Sequence, residues 1–171
     1  MNFNNSILIV VSLFIYQLFA TGCTSEKEKF VRKFSEYDFN KFARKSFFVR
    51  DFEGRNNPII FVYKDNCNGF QRVIIDSKLD SIKLTDFPGA KTDLDCWNDS
   101  LYSNELAIQF VKLDINAMSV DSNLNAYFNV LYNEQFPHLI KFSDKKFITG
   151  EYKTKWEQIT GNWYKLRDEY E

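Results

Sequence analysis

The chain has 171 residues, of which 22 are Lys or Arg and 23 are Asp or Glu, for a formal net charge of −1. Because the two signs are interspersed, no segment has the basic character of a nucleic-acid-binding face, and we expect no nucleic acid partner. Aromatic residues make up 18% of the chain, which excludes a disordered polypeptide and indicates a folded domain.

Residues 1–22 have the features of a secretory signal peptide. The run ILIVVSLFIYQLF, residues 7–19, is apolar except for Ser12 and Gln17, and small residues follow it before the first charge. A helix of this length rises only about 20 Å, whereas the hydrocarbon core of a bilayer is about 30 Å thick. A cleaved signal peptide therefore fits this segment better than a membrane-spanning helix.

Thr21, Gly22 and Cys23 resemble the lipobox of bacterial lipoproteins, in which a cysteine directly after a small residue receives a diacylglycerol on its sulfur and becomes the new N-terminus. The resemblance is confined to the signal segment. It implies lipidation of Cys23 and attachment to the bacterial cell envelope, with the outer membrane as the expected location. The alternative is ordinary secretion after an A-x-A-like site formed by Ala20 and Gly22, with an incidental cysteine, and both interpretations place the cleavage after Gly22.

The segment after the signal peptide is short, polar and charged. Residues 23–29 are predicted to form a tether, and residues 30–171 a single globular domain. Apolar residues then recur at helical spacing, so Glu26 to Tyr37 is also predicted to be an amphipathic helix.

Four antiparallel strands are predicted next, because runs rich in β-branched and aromatic residues alternate with turn-forming segments. They are Ser46–Phe52, Pro58–Lys64, Phe70–Asp76 and Leu79–Leu84. Asn68-Gly69 is the strongest hairpin signal, since this pair readily takes the positive φ values that a tight turn needs. The four strands are expected to form a meander.

Residues 86–98 are predicted to be a loop because of their Pro, Gly and Asp content. Lipidation of Cys23 leaves Cys67 and Cys96 as an even pair in a compartment where disulfides persist. We therefore predict a bond between Cys67 and Cys96, which closes a loop of about 30 residues and contributes roughly 3 to 4 kcal/mol in the chain-entropy model. Two unrelated buried thiols are the alternative.

The second half of the chain is predicted to contain one helix and several strands. The i, i+3, i+4, i+7 spacing of apolar residues predicts a helix over residues 104–114, with Ser103 as its cap. Strands are expected at Ala117–Val120, Ala126–Tyr132, His138–Phe142 and the NWYKL segment, residues 162–166. The predicted fold class is α+β, a mostly antiparallel sheet (meander) with one or two helices packed on one face.

The residue types that carry catalysis or bind metals are few. His138 is the single histidine, which excludes multi-histidine metal sites and leaves one conventional general base. Its position after Pro137, at the start of a predicted strand, favours a surface or cap role. No phosphate-binding or nucleophile motif occurs, so we predict no cofactor.

Two acidic segments have some features of cation-binding sites, but each also fits an ordinary turn or loop. Asp121-Ser-Asn123-Leu-Asn125 imitates the first half of an EF-hand loop, but Ala126 stands where that loop requires Gly, so a hairpin turn is preferred. The carboxylates in DLDCWND, residues 93–99, are interpreted as solvated loop residues. No metal site is predicted.

The last predicted strand suggests a binding face. Alternation along residues 162–166 puts Tyr164 and Leu166 on one face and Trp163, Lys165 and Arg167 on the other. If the face with Leu166 is the core, Trp163 points outward beside two cations, where it could stack on a sugar or anchor a protein partner. The alternative is that Trp163 is covered by the segment around Trp156 or by the N-terminal helix.

The function favoured by these observations is a lipid-anchored binding or accessory module of the cell envelope, with a protein or glycan partner. One alternative is a small periplasmic inhibitor or immunity-type lipoprotein, which predicts a flat or protruding patch. Another is a secreted hydrolase that uses unrecognised acidic residues, which predicts a deep cleft with convergent carboxylates. A binding module predicts exposed aromatic side chains.

Overall fold

The computed structural model describes residues 25–53, 57–65, 67, 70–76, 81–84, 100–131 and 134–170. It confirms the predicted α+β fold class, with one antiparallel sheet and helices packed on it. The helices in the described part of the chain are α1 (Glu26–Phe34), α2 (Ser100–Val111) and α3 (Glu151–Lys155). The strands are β1 (Lys45–Glu53), β2 (Asn57–Lys64), β3 (Gln71–Asp76), β4 (Ser81–Leu84), β5 (Ala117–Val120), β6 (Ala126–Asn129), β7 (Leu139–Lys141), β8 (Trp156–Thr160) and β9 (Trp163–Leu166).

These strands form a single sheet in the order β4-β3-β2-β1-β5-β6-β7-β9-β8. Every neighbouring pair is antiparallel. β1 to β4 form the predicted meander, and after α2 the chain returns to the other side of β1, where β5, β6 and β7 extend the sheet in the opposite direction. The prediction does not include α3 or the edge strand β8.

Helix α1 begins with a capping box. The Ser25 hydroxyl accepts a hydrogen bond from the Glu28 amide, and the Glu28 carboxylate accepts one from the Ser25 amide, each at 3.2 Å. The helix ends at Phe34 rather than at Tyr37. The Lys141 amine donates to the carbonyl oxygen of Ser35, the C-cap residue, and to that of Tyr37, at 3.0 Å each, and so caps the C-terminal end. The first turn contains residues 26–29, so this part of the predicted tether belongs to the folded domain.

The main core lies between the sheet and the first two helices. Phe47, Ile60 and Val62 are fully buried, whereas the residues that alternate with them along β1 and β2 point to the opposite face. The Phe47 ring stacks on Phe110 of α2 at 5.4 Å. A smaller cluster covers the opposite face near α3, where Phe142 packs edge-on against Tyr152 at 5.2 Å.

Helix α2 differs from its prediction at both ends. It begins at Ser100, so Ser103 lies inside it and is not its cap. It ends at Val111, because the following residues make tight i to i−3 bonds and Asp114 takes a left-handed conformation with φ of 57°. No helix in the described ranges has the length and apolar character needed to cross a membrane.

Cys67 forms a disulfide bond and packs against the core. The other two cysteines, Cys23 and Cys96, lie outside the described residues, so the pairing of Cys67 with Cys96 stays a prediction. The Asn68-Gly69 turn and the 86–98 loop also lie outside the described residues.

Candidate functional site

Trp163 is buried, and its prediction as an exposed binding residue was wrong. Its side chain is 2% exposed and stacks on Phe128 of β6 with ring centroids 5.4 Å apart. Phe30 of α1 and Phe39 pack edge-on against the indole at 6.0 and 5.9 Å. The alternative in which the N-terminal helix covers Trp163 is therefore correct. Both faces of β9 are buried, because α1 covers one face while Leu166 is buried on the other.

The two cations predicted beside Trp163 do not form a binding face with it. The Lys165 amine is 2.7 Å from the Glu157 carboxylate on the neighbouring strand β8. This hydrogen bond raises the pKa of Lys165 above its ordinary value, so the cation is held in a cross-strand ion pair. Arg167 is exposed beyond the end of β9.

The hairpin interpretation of Asp121 to Asn125 agrees with the structure. One Asp121 carboxylate oxygen accepts the amides of Asn123 and Asn125 at 2.8 and 2.9 Å, and the other accepts the Asn125 side-chain amide and the Tyr127 hydroxyl. Burial raises the pKa of Tyr127 well above its ordinary value of 10.0, with smaller contributions from Tyr152 and Asp121. These oxygens therefore hold the turn between β5 and β6. In the described segments, no group of three or more His, Cys, Asp or Glu side chains could hold a metal ion.

Lys141 lines an open depression of about 390 Å³ together with Glu36 and Asp38. However, its amine makes contacts within the domain that stabilise the fold. Besides capping α1, its amine lies 5.3 Å from the Phe39 ring centroid and 5.4 Å from that of Trp163. Burial lowers the pKa of Lys141, against the raising effects of the two carboxylates. Glu36 and Asp38 are exposed and lack the water-excluding environment in which a carboxyl acts as a general acid.

The structure brings His138 into a cluster that the sequence did not indicate. Oε1 of the buried Glu134 lies 3.3 Å from His138 Nδ1 and 3.4 Å from Lys27 Nζ, and neither contact has hydrogen-bond geometry. The other oxygen, Oε2, accepts the Leu131 amide at 3.0 Å. Asn129 donates to the backbone carbonyl oxygens of Glu134 and Phe136 at 2.9 Å each. The cluster therefore secures the connection between β6 and β7 against the start of α1.

An open depression of about 470 Å³ lies over this cluster. Its sides include three exposed apolar residues, which we call the apolar rim: Leu131, Phe136 and Tyr170. Phe136 is 68% exposed, the largest value among the exposed large hydrophobic residues that the structure describes.

A second group, which we call the aromatic surface, combines two exposed rings with two half-buried ones: Phe48 on β1 and Tyr63 on β2 are exposed, and Phe61 on β2 and Phe70 are half-buried. These side chains lie on the face of the sheet opposite to α1 and α2. Phe48 and Tyr63 are 42% and 38% exposed, although a cluster of this kind would be expected in a core. The aromatic surface borders an open depression of about 700 Å³, which Ser46 and Asn116 also line.

The rings of the aromatic surface contact one another in series. Phe48 and Tyr63 meet edge to face, with centroids 5.6 Å apart and planes at 88°. Tyr63 contacts Phe70 at 5.4 Å, and Phe70 contacts Phe61 at 4.6 Å. Because the first two rings are perpendicular, they form the walls of a concavity rather than a flat platform. The arrangement can accept an apolar side chain and has polar groups beside it.

The alternation in PIIFVY could have revealed this surface. Ile60 and Val62 belong to one face and Phe61 and Tyr63 to the other, so two aromatic side chains point away from the core once the core face is known. No such signal exists for the Lys27 and Glu134 contact, because the two residues are far apart in the sequence.

No protein-family model matches this chain, and no curated protein or solved structure is detectably similar to it.

Proposed function

We propose that this protein is a binding module of the bacterial cell envelope, held at the membrane by lipid on Cys23, and that its aromatic surface binds a protein or peptide partner. The observation that carries the proposal is the exposure of Phe48 and Tyr63 in one contiguous aromatic cluster beside a depression of about 700 Å³. Exposed aromatic patches in folded proteins mark interaction sites more often than isolated apolar residues do.

The ring geometry favours a peptide or protein side chain over a sugar. A sugar ring stacks on one flat aromatic face, whereas Phe48 and Tyr63 stand at 88° to each other and contact edge to face. An aliphatic or aromatic side chain can pack into the corner that two such rings form and be desolvated on two sides. Ser46 and Asn116 lie beside the rings and can hydrogen-bond to a peptide backbone.

Replacing Phe48 with alanine is expected to weaken peptide binding by at least about tenfold, since central aromatic anchors dominate the binding energy at interfaces. Peptides with an apolar anchor would be selected from a displayed random library on the Cys23→Ser protein without membranes. Their dissociation constants would then be measured by titration on the Phe48→Ala and Tyr63→Ala variants.

Phe136→Ala is the matched control, because Phe136 is also an exposed phenylalanine but lies outside the aromatic surface. We expect this variant to bind the selected peptides as tightly as the parent protein does. Equal loss of affinity in Phe48→Ala and Phe136→Ala would contradict the proposal. If soluble cell-wall glycan fragments bind the parent protein, and bind the Phe48→Ala variant more weakly, the partner is a glycan and not a peptide.

Lipidation is tested separately at Cys23. Mass spectrometry of protein extracted from membranes is expected to show a chain that begins at Cys23 and carries acyl groups, each buried CH₂ adding about 0.8 kcal/mol of membrane affinity. The Cys23→Ser variant should be released from the membrane. If that variant stays bound after salt washing, an uncleaved hydrophobic anchor would replace the lipid.

A further inference from the structure

The apolar rim consists of three large apolar side chains that remain exposed in the folded domain. Leu131, Phe136 and Tyr170 are 38%, 68% and 47% exposed, and the latter two belong to the segment before β7 and to the segment after β9. They border one depression with Lys27 of α1. None of the three belongs to the aromatic surface on β1 and β2.

The rim lies at the end of the domain where α1 begins. Leu131 and Lys27 line the depression beside the rim and also a neighbouring one, of about 260 Å³, whose lining includes Ser25 and Glu26. Ser25 is the N-cap of α1. The start of the folded domain and the apolar rim are therefore parts of one continuous surface.

The distance between this surface and Cys23 is limited by covalent geometry. Only Thr24 separates Cys23 from Ser25. Because consecutive Cα atoms are 3.8 Å apart, the Cα atom of Cys23 lies no more than about 8 Å from that of Ser25. A lipid on Cys23 therefore keeps the start of α1 close to the headgroups, and the adjoining rim is within reach of the bilayer. A domain that begins with an ordered helix at residue 26 has no long spacer to lift it away.

We propose that the apolar rim is a second membrane contact, with Phe136 and Leu131 inserted at the boundary between headgroups and acyl chains and Tyr170 at the headgroup level. This inference rests on the lipid anchor in the proposed function. Aromatic residues that combine an apolar ring with a polar tip are favoured at this depth. A second contact beside the acyl chains fixes the orientation of the domain, which a single flexible attachment does not.

The charges near the rim indicate which lipids it contacts. The depression beside Ser25 is lined by two cations, Lys27 and Lys165, and two anions, Glu26 and Asp168. This balanced lining adds no net charge that would favour anionic lipid, so we expect the contact to be mainly apolar and to form on a neutral bilayer. Phosphatidylcholine vesicles are therefore the appropriate probe.

Tryptophan quenching tests the contact. Lipidated Phe136→Trp protein, purified from membranes and checked for acyl groups by mass spectrometry, is reconstituted in vesicles whose lipids are brominated near the headgroup end of the acyl chains. After subtraction of the parent protein's emission, we expect the added tryptophan to lose about half of its emission or more, because an interfacial side chain lies within roughly 5 to 10 Å of this boundary.

Phe48→Trp is the matched control, because it places the same new residue at another exposed phenylalanine, which lies on the aromatic surface. Its added emission should be unaffected by the bromine. If lipidated Phe136→Trp is not quenched, or if it is quenched no more than lipidated Phe48→Trp, the rim proposal is overturned. The lipid anchor is unaffected by either result. Protein without acyl groups on Cys23 would overturn the anchor and the rim together, whereas peptide binding to the aromatic surface is measured without membranes and is unaffected.

Discussion

Replacing Trp163 with alanine is expected to lower the free energy of unfolding by about 3 to 5 kcal/mol, the cost of removing a large aromatic side chain from a packed core. The indole is 2% exposed and contacts aromatic rings from α1, from the Phe39 segment and from β6. Its removal leaves a cavity that three separate elements border, and rigid neighbours of this kind do not collapse to fill it. Urea denaturation of the Cys23→Ser protein and its Trp163→Ala variant measures the difference.

Phe136→Ala is a suitable control for this experiment, because it also truncates an aromatic side chain but at a position that is 68% exposed. Its free energy of unfolding should change by no more than about 0.5 kcal/mol. A loss below about 1 kcal/mol for Trp163→Ala would contradict a core role and would reopen the last strand as a binding face.

Replacing Glu134 with glutamine is expected to cost about 3 kcal/mol of unfolding free energy, since it removes one charge from a buried ion pair. The carboxylate lies 3.4 Å from the Lys27 amine and 3.3 Å from the His138 ring. Glutamine keeps an oxygen that can accept the Leu131 amide, so the main change is the loss of negative charge beside Lys27. Denaturant unfolding of the Cys23→Ser protein again provides the measurement.

The same substitution at Glu26 is its control. Glu26 also pairs with a lysine of α1, with its oxygen 2.6 Å from Lys29 Nζ, but both side chains are more than half exposed. Solvent screens this pair, so we expect Glu26→Gln to cost about 0.5 kcal/mol or less. Equal costs at the two positions would mean that the Glu134 cluster does not secure the β6 to β7 connection.

The elements that could be predicted are those whose signal lies within a few residues. The strand Ala117–Val120 was predicted with its correct bounds, and the start of α1 at Glu26 was also correct. Strand β8 had a local signal that was not used. Gly161-Asn162 forms the two-residue loop between β8 and β9, and Gly161 has φ of 52°, a conformation typical of glycine at this position of a hairpin.

The candidate sites were less predictable, because their residues come from distant parts of the chain. Alternation correctly separated Trp163 from Leu166, but the choice of core face failed because Trp163 is buried under α1 on one face of β9 while Leu166 is buried on the other. A single strand cannot reveal how many of its faces are covered. Lys27 and Glu134 meet only because α1 begins beside the connection between β6 and β7.

The amino-acid sequence by itself determined the α+β class, the positions of most strands and the amphipathic start of the domain, because strand alternation, helical spacing and capping depend on neighbouring residues. Only the tertiary structure decided which aromatic side chains are core and which are surface. Trp163 and Phe48 both lie on strands, but α1 packs over Trp163, and no described element packs over Phe48 to the same extent. Burial is a property of the assembled layers, so the surface available to a partner or a membrane is defined only when those layers come together.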